Sequence, residues 1–169
     1  IARIAISALQ TAGTLIAMFA SLANALTQDE LTEQQSSIIS GFLTIVGMTL
    51  VFATNLHHLM LEALIDTYSI FAPGVIENLG DFAQIIGRSV AKSFSLGLKL
   101  ASPFLIVALV YYVGLGLAGR LMPALPLFFF MMPIQITVQF TVLMAILSSV
   151  MLVFLQNFEE SILLFAGPQ

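Results

Sequence analysis

The chain has 169 residues, of which 59% are hydrophobic and 8% charged, with a mean hydropathy of +1.05. A soluble domain carries about 25% charged residues, so a water-soluble enzyme is excluded, as is a disordered chain, which needs low hydrophobicity and high charge. Five Lys and Arg against a net charge of −4 argue against nucleic-acid binding, and the lack of Cys removes disulfides and zinc–thiolate sites; an integral membrane protein, or one buried in a membrane assembly, remains.

Residue 1 is Ile and opens directly into an apolar helical pattern. No charged segment followed by a cleavage site stands there, so the start is not a signal peptide. Residues upstream of Ile1 are expected to be missing from the chain.

Four charge-free runs follow: Ile4–Gln28, Gln34–Leu61, Leu100–Gly119 and Leu121–Phe158. Crossing hydrocarbon takes about 20 residues of helix, and an open sheet cannot satisfy its backbone there. All four runs are therefore expected to be helical, and the fold all-α. Between the first two, Thr27–Glu33 is polar and acidic, and Thr32 with Gln35 fits a capping box that would start the second helix there. Within the second run, Asn55, His57 and His58 interrupt the apolar pattern. His58, Glu62 and Asp66 recur at i, i+4 and i+8 and share one helical face. That face suits structural hydrogen bonding, with a proton relay as the functional alternative.

Ala72-Pro73-Gly74 is a break. Beyond it Glu77, Asp81, Arg88, Lys92 and Lys99 are spaced by 4, 7, 4 and 7 residues, which places them within an arc of roughly 60° on a helix. This stripe is either a solvated edge or a face for a charged partner or a polar lumen. Gly119–Pro126, with Arg120 and Pro123, is expected to be a tight hairpin turn. Pro103 and Pro133 are expected as kinks or first-turn residues. Gly41, Gly47, Gly97, Gly114, Gly116 and Gly119 suit close helix approach. Phe128, Met131 and Met132 belong to a flexible apolar run fit for a deformable seal. Lys and Arg counts in the connections predict four crossings with both termini inside and the acidic loop outside. No catalytic constellation, metal set or cofactor motif is present in the pattern.

Thr11-Ala12-Gly13, Asn55–Leu59, Asp66 and Phe71-Ala72-Pro73-Gly74 come in an order followed by Leu98–Pro103, Leu115–Arg120, Pro123, Leu125, Phe128 and Pro133. This series resembles the flagellar biosynthetic FliR family, the R/T subunit family of type III export gates. The sequence departs from the family at Ala124, where Gln is usual, and in Ser21–Gln35, which lacks the family's two Phe and Asp-Pro. The resemblance implies a non-enzymatic subunit of a multi-subunit gate, built of long helices and helical hairpins. Residues 1–71 would be FliP-like, with a plug-like loop near 21–35 that includes Leu22 and Leu26. Residues 75–169 would be a FliQ-like hairpin with its turn near 119–126 and a short C-terminal tail, and the family's N-terminal helices would be absent. Implied partners are FliP, FliQ and FlhB-like subunits, the membrane, and unfolded flagellar proteins in transit. The implied location is the bacterial inner membrane within the flagellar basal body. The alternative is a secondary transporter or proton-channel subunit using His58, Glu62 and Asp66, although no internal repeat supports it.

Overall fold

The computed structural model describes residues 2–20, 26–28, 35–70, 79–121 and 127–163. Five helices carry the fold: α1 (Ala2–Phe19), α2 (Ile38–Ala53), α3 (Leu56–Ile70), α4 (Leu79–Leu121) and α5 (Leu127–Leu163). The expected all-α class holds. Two short strands, β1 (Leu26–Gln28) and β2 (Gln35–Ser37), pair antiparallel with Leu26 opposite Ser37, and lie between α1 and α2.

The core forms around α1. Ala8, Leu9, Ala12, Ile16 and Ala17 are buried and recur at the three- and four-residue intervals of one helical stripe. Around them pack Leu43 of α2, Leu100, Ala101 and Phe104 of α4, and Val150, Phe154 and Phe158 of α5. Small residues let α1 sit close to its neighbours. A Cβ on Gly13 would lie 2.3 Å from Cα of Ser40, and one on Gly97 3.0 Å from the carbonyl oxygen of Ala8. Backbone meets backbone at the first of these contacts, so the α1–α2 crossing depends on the missing side chain. Gly41, Gly114 and Gly116, expected to serve close approach, face open space.

The second charge-free run is not one straight span. α2 starts at Ile38, because Ser37 is its N-cap and accepts a hydrogen bond from the Ser40 amide at 3.1 Å. The capping box expected from Thr32 and Gln35 is thereby corrected: Gln35 belongs to β2, and Thr32 lies outside the described residues. α2 ends at Thr54, and Asn55 takes a left-handed backbone with φ of 60°. Asn tolerates this conformation better than most residues because its short side chain bonds locally. The Asn55 carbonyl then accepts from the His58 amide at 3.0 Å, which begins α3. The two helices are bent by 78° at this break. α1, α4 and α5 are each long and apolar enough to cross a membrane, and the bent pair qualifies only if taken as one span.

α4 runs without interruption from the charged stripe into the Leu100–Gly119 run. Its 43 residues make a rod of about 64 Å. Pro103 stands inside it and Pro133 inside α5. Pro103 lacks the N–H that would bond the Lys99 carbonyl, and the Ser102 hydroxyl donates to that carbonyl at 2.7 Å instead. Residues 122–126 join α4 to α5, and the two helices run antiparallel, with Tyr112 beside Gln135 and Phe104 beside Gln139.

Candidate functional site

Hydrogen bonds between α5 and its neighbours define the most organised polar site. Gln135 and Gln139 are buried on one face of an otherwise apolar helix, one turn apart. Gln135 donates through Nε2 to the Phe19 carbonyl at 2.7 Å and to the Tyr112 hydroxyl at 3.0 Å. Phe19 is the last residue of α1, so its carbonyl has no partner within that helix. One amide therefore joins α1, α4 and α5. Gln139 donates to the Phe104 carbonyl at 3.3 Å, and its buried Oε1 has no partner among the described residues. Tyr111 donates to the Met131 carbonyl. These staples fix the start of α5 against the end of α1, where the segment carrying Leu22 begins.

The other root of that segment is also clasped. The Ser37 hydroxyl donates to the Gly13 carbonyl and the Ser40 hydroxyl to the Gln10 carbonyl, each at 3.2 Å. Leu22 lies outside the described residues. Leu26 is in β1 and Phe128 in the first turn of α5. Met131 is half-buried and Met132 exposed.

His58, Glu62 and Asp66 do share α3, with His58 and Glu62 exposed and Asp66 half-buried. The ring of His57 lies 4.1 Å from that of His58 and 5.3 Å from that of Phe52, centroid to centroid, tilted against both. Its buried Nδ1 has no hydrogen-bond partner among the described residues. Arg88, Lys92 and Lys99 are exposed along α4. Asp81 is in the first turn of α4 and Glu77 lies outside the described residues. Arg120 is in the last turn of α4, and Pro123 lies in the undescribed connection.

The sequence reading missed Gln135 and Gln139. Their signal was two amides at i and i+4 inside a charge-free run, the spacing that puts both on one face.

Long apolar helices, a core centred on a small-residue helix and polar staples between spans define an all-α protein of membrane type. The chain belongs to the bacterial export proteins, family 1, whose profile matches residues 1–161. It is 35% identical over 163 residues to the flagellar biosynthetic protein FliR of Caulobacter vibrioides, covering 96% of this chain and 65% of that protein. The FliR of Bacillus subtilis is 29% identical over 167 residues, covering 96% and 64%, and that of Escherichia coli 26% over 143 residues, covering 85% and 55%. The resemblance drawn from the residue series therefore holds. The chain spans just under two thirds of the length of the first two relatives.

Proposed function

We propose that this chain is a non-enzymatic subunit of the flagellar type III export apparatus, contributing helices to the gate through which unfolded flagellar proteins leave the cell. The observation that carries this reading is the family match over residues 1–161. Its partners would be FliP, FliQ and FlhB-like subunits in the inner membrane at the basal body. Residues 1–71 would form the FliP-like part and 75–169 the FliQ-like hairpin.

Helix dimensions support a multi-subunit setting. The 20 charge-free residues from Leu100 to Gly119 already span about 30 Å, the full hydrocarbon thickness. Ile85, Ile86, Val90, Phe94 and Leu98 precede that run and are exposed. Exposed apolar side chains outside lipid call for protein cover, and Glu77, Asp81 and Arg88 on the same stretch offer charges for its register.

Sealing is assigned to the segment 21–35, with Leu22 and Leu26 as apolar constriction residues backed by Phe128, Met131 and Met132. An apolar constriction blocks ions by dewetting and needs no charge. The test uses the full-length protein in its host. A tagged copy should restore motility to a deletion strain and retain other apolar subunits on purification. Leu22→Ser with Leu26→Ser should leave the complex assembled but admit a small impermeant dye. Motility without the gene, or recovery of the chain alone from functional cells, would overturn the assignment; a tight membrane in the assembled double variant would move the seal elsewhere.

A further inference from the structure

A cleft of about 350 Å³ opens between α1, α4 and α5. Its α4 wall carries Lys92, Leu96 and Lys99, and its α5 wall Phe154, Asn157 and Glu160. The two walls differ in chemistry. Lys92, Leu96 and Lys99 stand at i, i+4 and i+7, so an apolar side chain lies between two ammonium groups on one helical face. The lysines are exposed and two turns apart, about 10 Å along the axis. On the opposite wall the Asn157 side-chain amide donates to the Val153 carbonyl at 2.9 Å, and the Ser161 hydroxyl to the Asn157 carbonyl at 2.7 Å. That wall therefore presents chiefly acceptor oxygens and the Glu160 carboxylate.

Among the described residues no ion pair joins Lys92, Lys99 or Glu160 to another charge. Arg88, one turn before Lys92, has the same sign as the lysines and cannot neutralise them. Ile85, Ile86, Val90 and Phe94 lie exposed on the same stretch of α4, the stretch for which protein cover is proposed above. A partner laid over these side chains covers the two ammonium groups as well. Taking an unpaired charge out of water is strongly unfavourable unless a counter-charge arrives with it. The partner must therefore bring carboxylates to Lys92 and Lys99. Glu160 repels a carboxylate at the α5 wall, which confines the partner's acids to the α4 side.

We propose that this cleft docks an acidic helix of another subunit of the assembly, one that carries two carboxylates about two turns apart with an apolar residue between them. The carboxylates meet Lys92 and Lys99, and the apolar residue rests on Leu96 and Phe154. The docking rests on the export-subunit reading and adds to it the chemistry of one contact.

The test is zero-length coupling with a carbodiimide, which joins an ammonium directly to a carboxylate in contact with it. It is applied to the full-length protein in its purified complex and read by peptide mass spectrometry. Lys92 and Lys99 should both be joined to Asp or Glu of one other chain, at positions about seven residues apart in that chain. Lys92→Gln and Lys99→Gln should each lower retention of that chain through a salt wash about fivefold, the upper end for a partly exposed ion pair. Lys92→Arg with Lys99→Arg should abolish the coupling but keep the retention, because a guanidinium pairs with carboxylates and does not react. Glu160→Gln should retain the chain at least as well as the parent. Three results would each overturn the docking and leave the export-subunit reading standing: both lysines open to acylation in the intact complex, coupling only to acids of this chain, or Gln variants that retain the partner as the parent does. Recovery of the chain alone from motile cells would overturn that reading and the docking with it.

Discussion

Replacing Gly13 with Ala tests the centre of the fold. The new methyl would lie 2.3 Å from Cα and 2.7 Å from N of Ser40. Ordinary van der Waals contact begins about 1 Å further out, so one helix must move. No rotamer change relieves the clash, because the atoms met are backbone. Overpacking of this kind costs about 1–3 kcal/mol. Separating α1 from α2 also stretches the Ser37–Gly13 and Ser40–Gln10 hydrogen bonds, each worth about 0.6 kcal/mol between membrane helices. The expected loss is therefore about 2–4 kcal/mol. Gly41→Ala is the matched control: it sits on α2 with nothing within 4 Å of its added methyl, and Ala favours a helix by about 0.5–1 kcal/mol. The assay compares the thermal aggregation midpoints of the two purified variants with the parent, together with their abundance in membranes. Gly13→Ala should fall well below the parent and Gly41→Ala should equal or exceed it. Equal midpoints for the two variants would refute the direct backbone contact between α1 and α2.

Gln135→Leu strips the Phe19 carbonyl and the Tyr112 hydroxyl of their shared donor, and should cost about 0.6–2 kcal/mol in a detergent unfolding titration. Gln139→Leu should cost less than Gln135→Leu in the same titration, because one of its two polar ends is already unpaired. Ser102→Ala should destabilise the parent by about 1 kcal/mol and be near neutral beside Pro103→Ala, since restoring the helical N–H supplies the Lys99 carbonyl; a double-mutant cycle without coupling would reject the link. Asn55→Val should lower membrane abundance through about 1–3 kcal/mol of strain at positive φ, whereas Asn55→Gly should not.

Hydropathy revealed the long helices because membrane spans need length and little charge, and both are visible in a linear sequence. Leu100–Gly119 accordingly lies within α4, and residues 127–158 of the run that begins at Leu121 lie within α5. The bend at Asn55 was only half visible. The polar cluster stood out, but the left-handed backbone that turns the chain by 78° is a property of one dihedral angle. Thr32 and Gln35 carried the spacing of a capping box, yet strand pairing through Gln35 took precedence and Ser37 became the cap. Gln135 was overlooked because its partners are 116 and 23 residues away, and composition records no such distance. Glycine showed the same limit: Gly13 and Gly114 are equivalent in a sequence, and only the first meets another backbone.

The Gln135–Phe19 bond also imposes an order on biogenesis. Its two ends are 116 residues apart, so at about 5–20 residues per second a ribosome needs roughly 6–23 s to make the second after the first. During that interval the last carbonyl of α1 has no amide to meet it, although α2 is already complete. When α5 emerges, Gln135 arrives as an amide whose partner was made with α1. The first and last helices of the described chain are thus matched late, and α5 is the piece whose arrival closes the bundle.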